Sequence, residues 1–187
     1  MVCIDCSGIH RSIGVDYSKI RSLNLDNIDK ELVEILESLG GTSKINKLIE
    51  HSAKSNEKPK RTSSLYEREN YIINKYKLKK YLKPISYKNK QDVIDTIFKN
   101  IESQDILNLF FLLKSDICSV NQNYDYAKKE NYAFIHHAAK LGKLTAFKLL
   151  YCLGADIQFH DSKSLKPIDY ATLSNKVIII IFYFSLK

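Results

Sequence analysis

The chain's first reactive side chains are two cysteines and an arginine. Cys3-Ile-Asp-Cys6 is a C-x-x-C pair, and His10 and Arg11 follow closely. Such a pair is compatible with half of a zinc site, a redox couple or a chance spacing. A structural zinc takes four ligands, normally two such pairs. The other cysteines, Cys118 and Cys152, stand alone in the second half, where a small buried hydrophobe is the ordinary role of Cys. A thioredoxin-like couple needs a preceding strand-and-helix unit, which is missing here. His10 is a candidate third ligand, with local hydrogen bonding as its more ordinary role. The six glycines are scattered and form no phosphate-cradling loop. No Ser-His-Asp arrangement suggests itself either.

Those residues sit in a chain of 187 with 29 Lys plus Arg against 21 Asp plus Glu, a formal charge of +8. Hydrophobic residues make up 44%, enough for a buried core and too many for wholesale disorder. Residues 1–90 hold 18 basic and 11 acidic residues, and residues 91–187 hold 11 and 10. That asymmetry points to two units with different partners. The basic part suits an acidic protein, an anionic membrane or nucleic acid, against the plainer reading of a solvated surface. No basic-then-apolar signal peptide opens the chain. The longest apolar run, Val177 to Phe184, is about half of what a membrane span needs. The expectation is a soluble intracellular protein without a disulfide framework.

Periodicity supplies the elements that must hold these groups. Ile28, Leu32, Ile35, Leu36 and Leu39 mark one face of a helix. Asp26 or Asn27 can cap its start, and Gly40-Gly41 stops it. A short helix through Ile45, Leu48 and Ile49 follows, with Thr42 or Ser43 as cap. Residues Ala53 to Ser64 read as an exposed loop. A longer helix is expected from Leu65 through Leu82, with Lys75, Lys77, Lys79, Lys80 and Lys83 at its cationic end and Pro84 closing it. Such an end suits weak contact with anionic lipid, although no apolar face accompanies it as an interfacial anchor requires.

The second half repeats itself. Ala133-Phe-Ile-His-His-Ala-Ala139 and Lys166-Pro-Ile-Asp-Tyr-Ala-Thr172 align at a spacing of 33 residues. Leu149-Leu150 and Gly154-Ala155-Asp156 lie between them. The pattern resembles the ankyrin repeat. A more degenerate repeat precedes it, with Leu112 and Leu113 matching Leu149 and Leu150. There Ile117 stands at the glycine position and the Gln122 to Asn131 loop carries an insertion. His136 is expected to hydrogen-bond backbone. The last repeat ends inside or just after Val177 to Phe184, as in a truncated array.

The string from Cys3 through Gly8, His10, Arg11 and Gly14, and on through Ser18-Lys-Ile-Arg21-Ser-Leu23-Asn-Leu25-Asp26, resembles the Arf GTPase-activating domain. The resemblance continues more loosely through Glu31 to Leu39 and Tyr71 to Tyr76. An activating domain followed by ankyrin repeats is the order of the subfamily that also carries coiled-coil (BAR) and PH domains. The resemblance implies a mostly α chain. Residues 1–84 would form a partial zinc-finger activating domain (small α+β), residues 85–91 a linker, and residues 92–187 an ankyrin α-solenoid. It makes Arg11, separated from Cys6 by four residues, the arginine finger, and Cys3 and Cys6 the second pair of zinc ligands. Arg21 and Asp26 become scaffold residues.

The family's first cysteine pair and its tryptophans have no counterpart in this chain, so the expectation is an N-terminally truncated activator with half a zinc site. The implied partner is an Arf-family GTPase in its GTP form, with an unidentified protein on the repeats. The chain itself would turn over no substrate. The implied location is cytoplasmic, peripheral at endosomal or plasma membranes. Two other classes compete: a protein-binding repeat module with an inert N-terminal remnant, and a nucleic-acid binder. The latter lacks a complete finger and a base-reading helix.

Overall fold

The computed structural model describes residues 2–28, 30–126 and 130–186. It is mostly helical, with one two-stranded antiparallel sheet. Contacts divide it into two compact units. The first joins Met1–Asp29 with Thr42–Pro84, and the second joins Lys30–Gly41 with Ile85–Lys187.

In the first unit, α1 spans Ile4–Ser12, so Cys6 and Arg11 share one helix with Cys3 immediately before it. Cys3 caps it in an extended conformation, and Gly14, at a left-handed φ of 98°, turns the chain away after it. The helix α3 spans Gly41–Ile49; Thr42 and Ser43, expected as caps, lie inside it. Residues 53–64 carry no helix or strand. The helix α4 spans Leu65–Ile72 and starts on a reciprocal capping box, in which Ser64 Oγ accepts from the Glu67 amide and Glu67 Oε2 accepts from the Ser64 amide.

The expected long helix to Leu82 is shorter in the structure. After Ile72 the chain widens into a π-helical turn, Ile73–Lys77, closed by Leu78 N–H donating to Ile73 O. Lys79 then adopts φ 51°, and the Lys80 amide turns back to Asn74 O. The reversal buries Tyr81 against Tyr71, with ring centroids 5.5 Å apart. Packing of that ring overrides the local helical tendency, so Pro84 is not what ends the helix.

In the second unit, α2 (Lys30–Ser38) buries Ile35, with Leu39 buried just beyond its end. Neither Asp26 nor Asn27 directly precedes this helix. The helix α5 (Lys90–Ser103) is capped by Asn89, and α6 (Ile106–Lys114) by Asp105. The strands β1 (Tyr124–Tyr126) and β2 (Glu130–Tyr132) pair with Tyr124 opposite Tyr132. They stand where the sequence suggested only an inserted loop; the segment joining them lies outside the described residues. Next come α7 (Phe134–Leu141), α8 (Leu144–Cys152), α9 (Pro167–Leu173) and α10 (Val177–Ser185).

These helices pack as successive pairs. One layer runs α5, α7, α9 and the other α6, α8, α10, while α2 lies against α8. Phe98, Leu109, Leu112, Phe134, Phe147 and Leu150 are fully buried between them. Ala138, Ala139 and Ala146 let the backbones approach. Gly142 ends α7 at φ 70°, and a Cβ there would stand 2.9 Å from Lys176 Cδ. In the preceding pair Gln104 ends α5 in the same left-handed way at φ 59°, and Asp116, one position before Ile117, is left-handed at φ 61° after α6.

Although α2 falls within residues 1–84, it packs with the second unit. Ile35 and Leu39 are buried there while Leu36 stays exposed, and Lys148 Nζ donates to Glu34 Oε2 at 2.8 Å.

Candidate functional site

Consecutive helical residues point about 100° apart, which separates the roles of His10 and Arg11 on α1. Arg11 is exposed, and its Nη1 donates to Ser7 Oγ at 3.4 Å. Ser7 is buried and donates to Ile4 O at 2.7 Å, so its remaining lone pairs face the arginine. His10 points inward and is almost wholly buried. Its Nδ1 lies 2.7 Å from Ser18 Oγ, and its ring meets Tyr76 edge-on at 4.9 Å. Burial, and then the Lys75 charge, push its imidazole below the ordinary 6.5. His10 is therefore a packed, neutral imidazole bonded to Ser18 and does not join the cysteines as a third ligand.

Cys3 and Cys6 lie at the opposite end of α1, and both face Arg68. Its Nη1 donates to each sulfur at 3.8 Å, its Nη2 to Arg61 O at 2.7 Å and its Nε to Ser63 O at 3.0 Å. The Cys6 amide and thiol pull the Cys3 thiol below its ordinary value, while burial pushes Cys6 up. Among the described residues no group of three or more His, Cys, Asp or Glu is gathered for a metal ion. A structural zinc needs four ligands, and the two thiols supply half of that set with a cation beside them. The described residues do not fit a complete zinc centre.

Behind α1, Lys75 is buried rather than part of a solvated basic end. Its Nζ donates to Glu50 Oε1 at 2.5 Å and Asn46 Oδ1 at 3.1 Å, with Lys58 on the other carboxylate oxygen at 2.7 Å. Burial alone raises the Glu50 carboxyl, but the hydrogen bonds from Lys58 and Lys75 outweigh it and bring the pKa to about 2. The segment after α1 is ordered by its own polar groups. Asp26 Oδ2 accepts from the Ser22 amide at 2.5 Å, and Arg21 Nη1 donates to Asn27 O at 3.5 Å.

In the second unit, His136 Nε2 lies 3.0 Å from Phe159 O and 3.1 Å from Leu165 O. Two carbonyl partners make that nitrogen the proton carrier. Sequence reasoning missed Arg68, Lys75 and Glu50. The structure's Ser64–Glu67 capping box puts Arg68 in the first turn of α4, and no local signal in the sequence says what it meets.

Set beside known proteins, residues 1–85 match the family model described as "Putative GTPase activating protein for Arf". This region is similar to Arf GTPase-activating segments. Its relatives include the human "Arf-GAP with coiled-coil, ANK repeat and PH domain-containing protein 3", 42% identical over 85 residues, covering 44% of this chain and 10% of that protein. The chicken "Arf-GAP with coiled-coil, ANK repeat and PH domain-containing protein 2" is 42% identical over 83 residues, covering 43% of this chain and 10% of its own length. The Saccharomyces cerevisiae "ADP-ribosylation factor GTPase-activating protein effector protein 1" is 40% identical over 85 residues, covering 44% and 18%. The matches thus span a small part of each relative, and they include α2.

Proposed function

We propose that the chain is a GTPase activator for Arf-family small GTPases and that Arg11 is its arginine finger. The observation that carries this reading is the Cys6-x-x-x-x-Arg11 spacing inside the family match, with the guanidinium exposed on α1 and bonded to Ser7. As GTP is hydrolysed, negative charge builds on the transferring phosphoryl oxygens. A permanently charged planar guanidinium offers that charge two hydrogen bonds, which a lysine cannot match. The chain would stimulate its partner's hydrolysis and turn over nothing itself.

The resemblance assigns Cys3 and Cys6 to half of a zinc site. No step of the proposed activity runs through a metal. The second unit reads as an ankyrin-type array, supported by the 33-residue spacing and the two-layer stacking of helix pairs, and would hold a protein ligand. The location proposed is cytoplasmic, at endosomal or plasma membranes. Among the described residues no helix is long and apolar enough to cross a membrane.

Single-turnover hydrolysis of GTP on purified Arf tests the reading. The full chain should accelerate it, and Arg11→Ala and Arg11→Lys should each lose roughly 10³–10⁵ in rate with unchanged circular dichroism. Equal rates with and without the chain would sink the proposal. That result would favour the second reading, a protein-binding array with an inactive remnant.

A further inference from the structure

We infer that in this chain the Arg68 guanidinium, rather than a metal ion, holds the Cys3/Cys6 pair and so anchors the N-terminus of α1. The starting point is a disagreement. The family implies a zinc finger, yet the described residues bring two thiols together and no third ligand. What they bring instead is a cation with the right fan of donors. A guanidinium has five N–H groups in a fixed plane, and Arg68 uses four. Two point from Nη1 to the sulfurs of Cys3 and Cys6, one runs from Nη2 to Arg61 O, and one from Nε to Ser63 O.

The two carbonyl contacts fix the guanidinium from behind. The Ser64–Glu67 capping box fixes the turn from which it projects. Both Nη1 donors then face the sulfurs, which lie 65 and 62 residues away in sequence. The contact is therefore a long-range tie between α1 and the start of α4, which pack directly on each other. A thiol is a weak acceptor, and a charged donor strengthens the bond. One guanidinium thus spans both cysteines and the 61–63 loop, the cross-linking task that a metal performs in a zinc knuckle. The inference stands on these contacts alone and does not depend on the GTPase reading.

Hydrogen exchange of the purified full chain tests it, combined with native mass spectrometry with and without a chelator. In Arg68→Ala the amides of α1 should exchange about tenfold faster, the scale expected from losing charge-assisted hydrogen bonds, while those of α7 and α9 stay unchanged. The double substitution Cys3→Ala/Cys6→Ala should have the same effect. Adding Arg68→Ala to it should speed α1 exchange no further, because the sulfur contact cannot be lost twice, while the lost Arg61 and Ser63 carbonyl contacts affect the 61–63 loop.

Chelator should leave the wild-type exchange pattern and mass unchanged. Arg68→Lys guards against a variant that simply unfolds. It keeps the charge and the stem, but a single ammonium cannot serve two sulfurs and two carbonyls at once, so α1 should loosen while the unit stays folded. The inference is overturned by any of three results: a stoichiometric zinc whose removal loosens α1, additive effects of the cysteine and arginine substitutions, or an Arg68→Lys chain with unchanged α1 exchange.

Discussion

The two units are held together by different physics. The second has an apolar interior in which Phe98, Phe134 and Phe147 meet aliphatic side chains from successive helix pairs. The first buries few large apolar groups, chiefly Ile13, Tyr71, Ile72 and Tyr81, and leaves Ile4, Val15, Leu23 and Leu25 exposed. Its long-range ties are polar: Glu50 with Lys75 and Lys58, His10 with Ser18, and Arg68 with the two thiols. A unit built on area is insensitive to protonation at its contacts, whereas one built on charge depends on the state of each partner. The region with the proposed chemistry is the one with the smaller core.

Core truncation in the second unit should give the largest effect. Phe98→Ala should cost ~3–5 kcal/mol in urea unfolding followed by circular dichroism, because its ring stacks on Tyr126 at 4.3 Å and meets Phe134 at 5.0 Å. A loss below that of an exposed substitution such as Tyr66→Ala would end the contrast between the units.

In the first unit the comparable injury is electrostatic. Lys75→Met should cost ~3 kcal/mol, the lower end for breaking a buried pair, since Lys58 still faces Glu50. The same network sets a pH window. Glu50 has an ordinary pKa of 4.5 and a folded value of about 2, so the unfolded chain takes up the proton first as pH falls. Its stabilisation is complete above 4.5 and is lost between 4.5 and about 2. Glu50→Gln should flatten the profile of the first unit in that window, read from exchange of α3 amides.

His10 acts earlier. Its folded pKa is depressed below 6.5, so the neutral form is favoured on folding, and stability should begin to fall as pH drops through 6.5. Its imidazole resonances should titrate below that value, and an ordinary titration would mean the ring is not packed as described. The smallest change is expected from a helix end in the second unit. Asn89→Ala removes the acceptor of the Asp92 amide and should cost ~1 kcal/mol.

Much of this was legible one segment at a time. The face through Ile35 and Leu39, the helix through Ile45 and Leu48, and the repeat with its Leu-Leu pairs and glycines follow from periodicity and turn chemistry, which act over a few residues. Two readings failed where a distant partner intervened. The helix after Leu65 ends early because Tyr81 folds back onto Tyr71, and Lys75 leaves solvent because Glu50 and Asn46 lie within its reach. The hairpin at Tyr124–Tyr132 was hidden because its strands are three residues each, too short for an alternating pattern to register.

The sequence by itself determined where the proposed chemistry would be carried: the cysteine pair, an arginine at a set distance from it, and a run of helical pairs behind. Those are matters of spacing, and spacing is written in the chain. Only the tertiary structure decided what each group faces. It turned His10 inward and left Arg11 outside, placed α2 with the second unit, and brought Arg68 across more than sixty residues onto Cys3 and Cys6. A side chain's neighbours across the fold depend on how whole elements pack, and no local preference for helix, turn or charge encodes that.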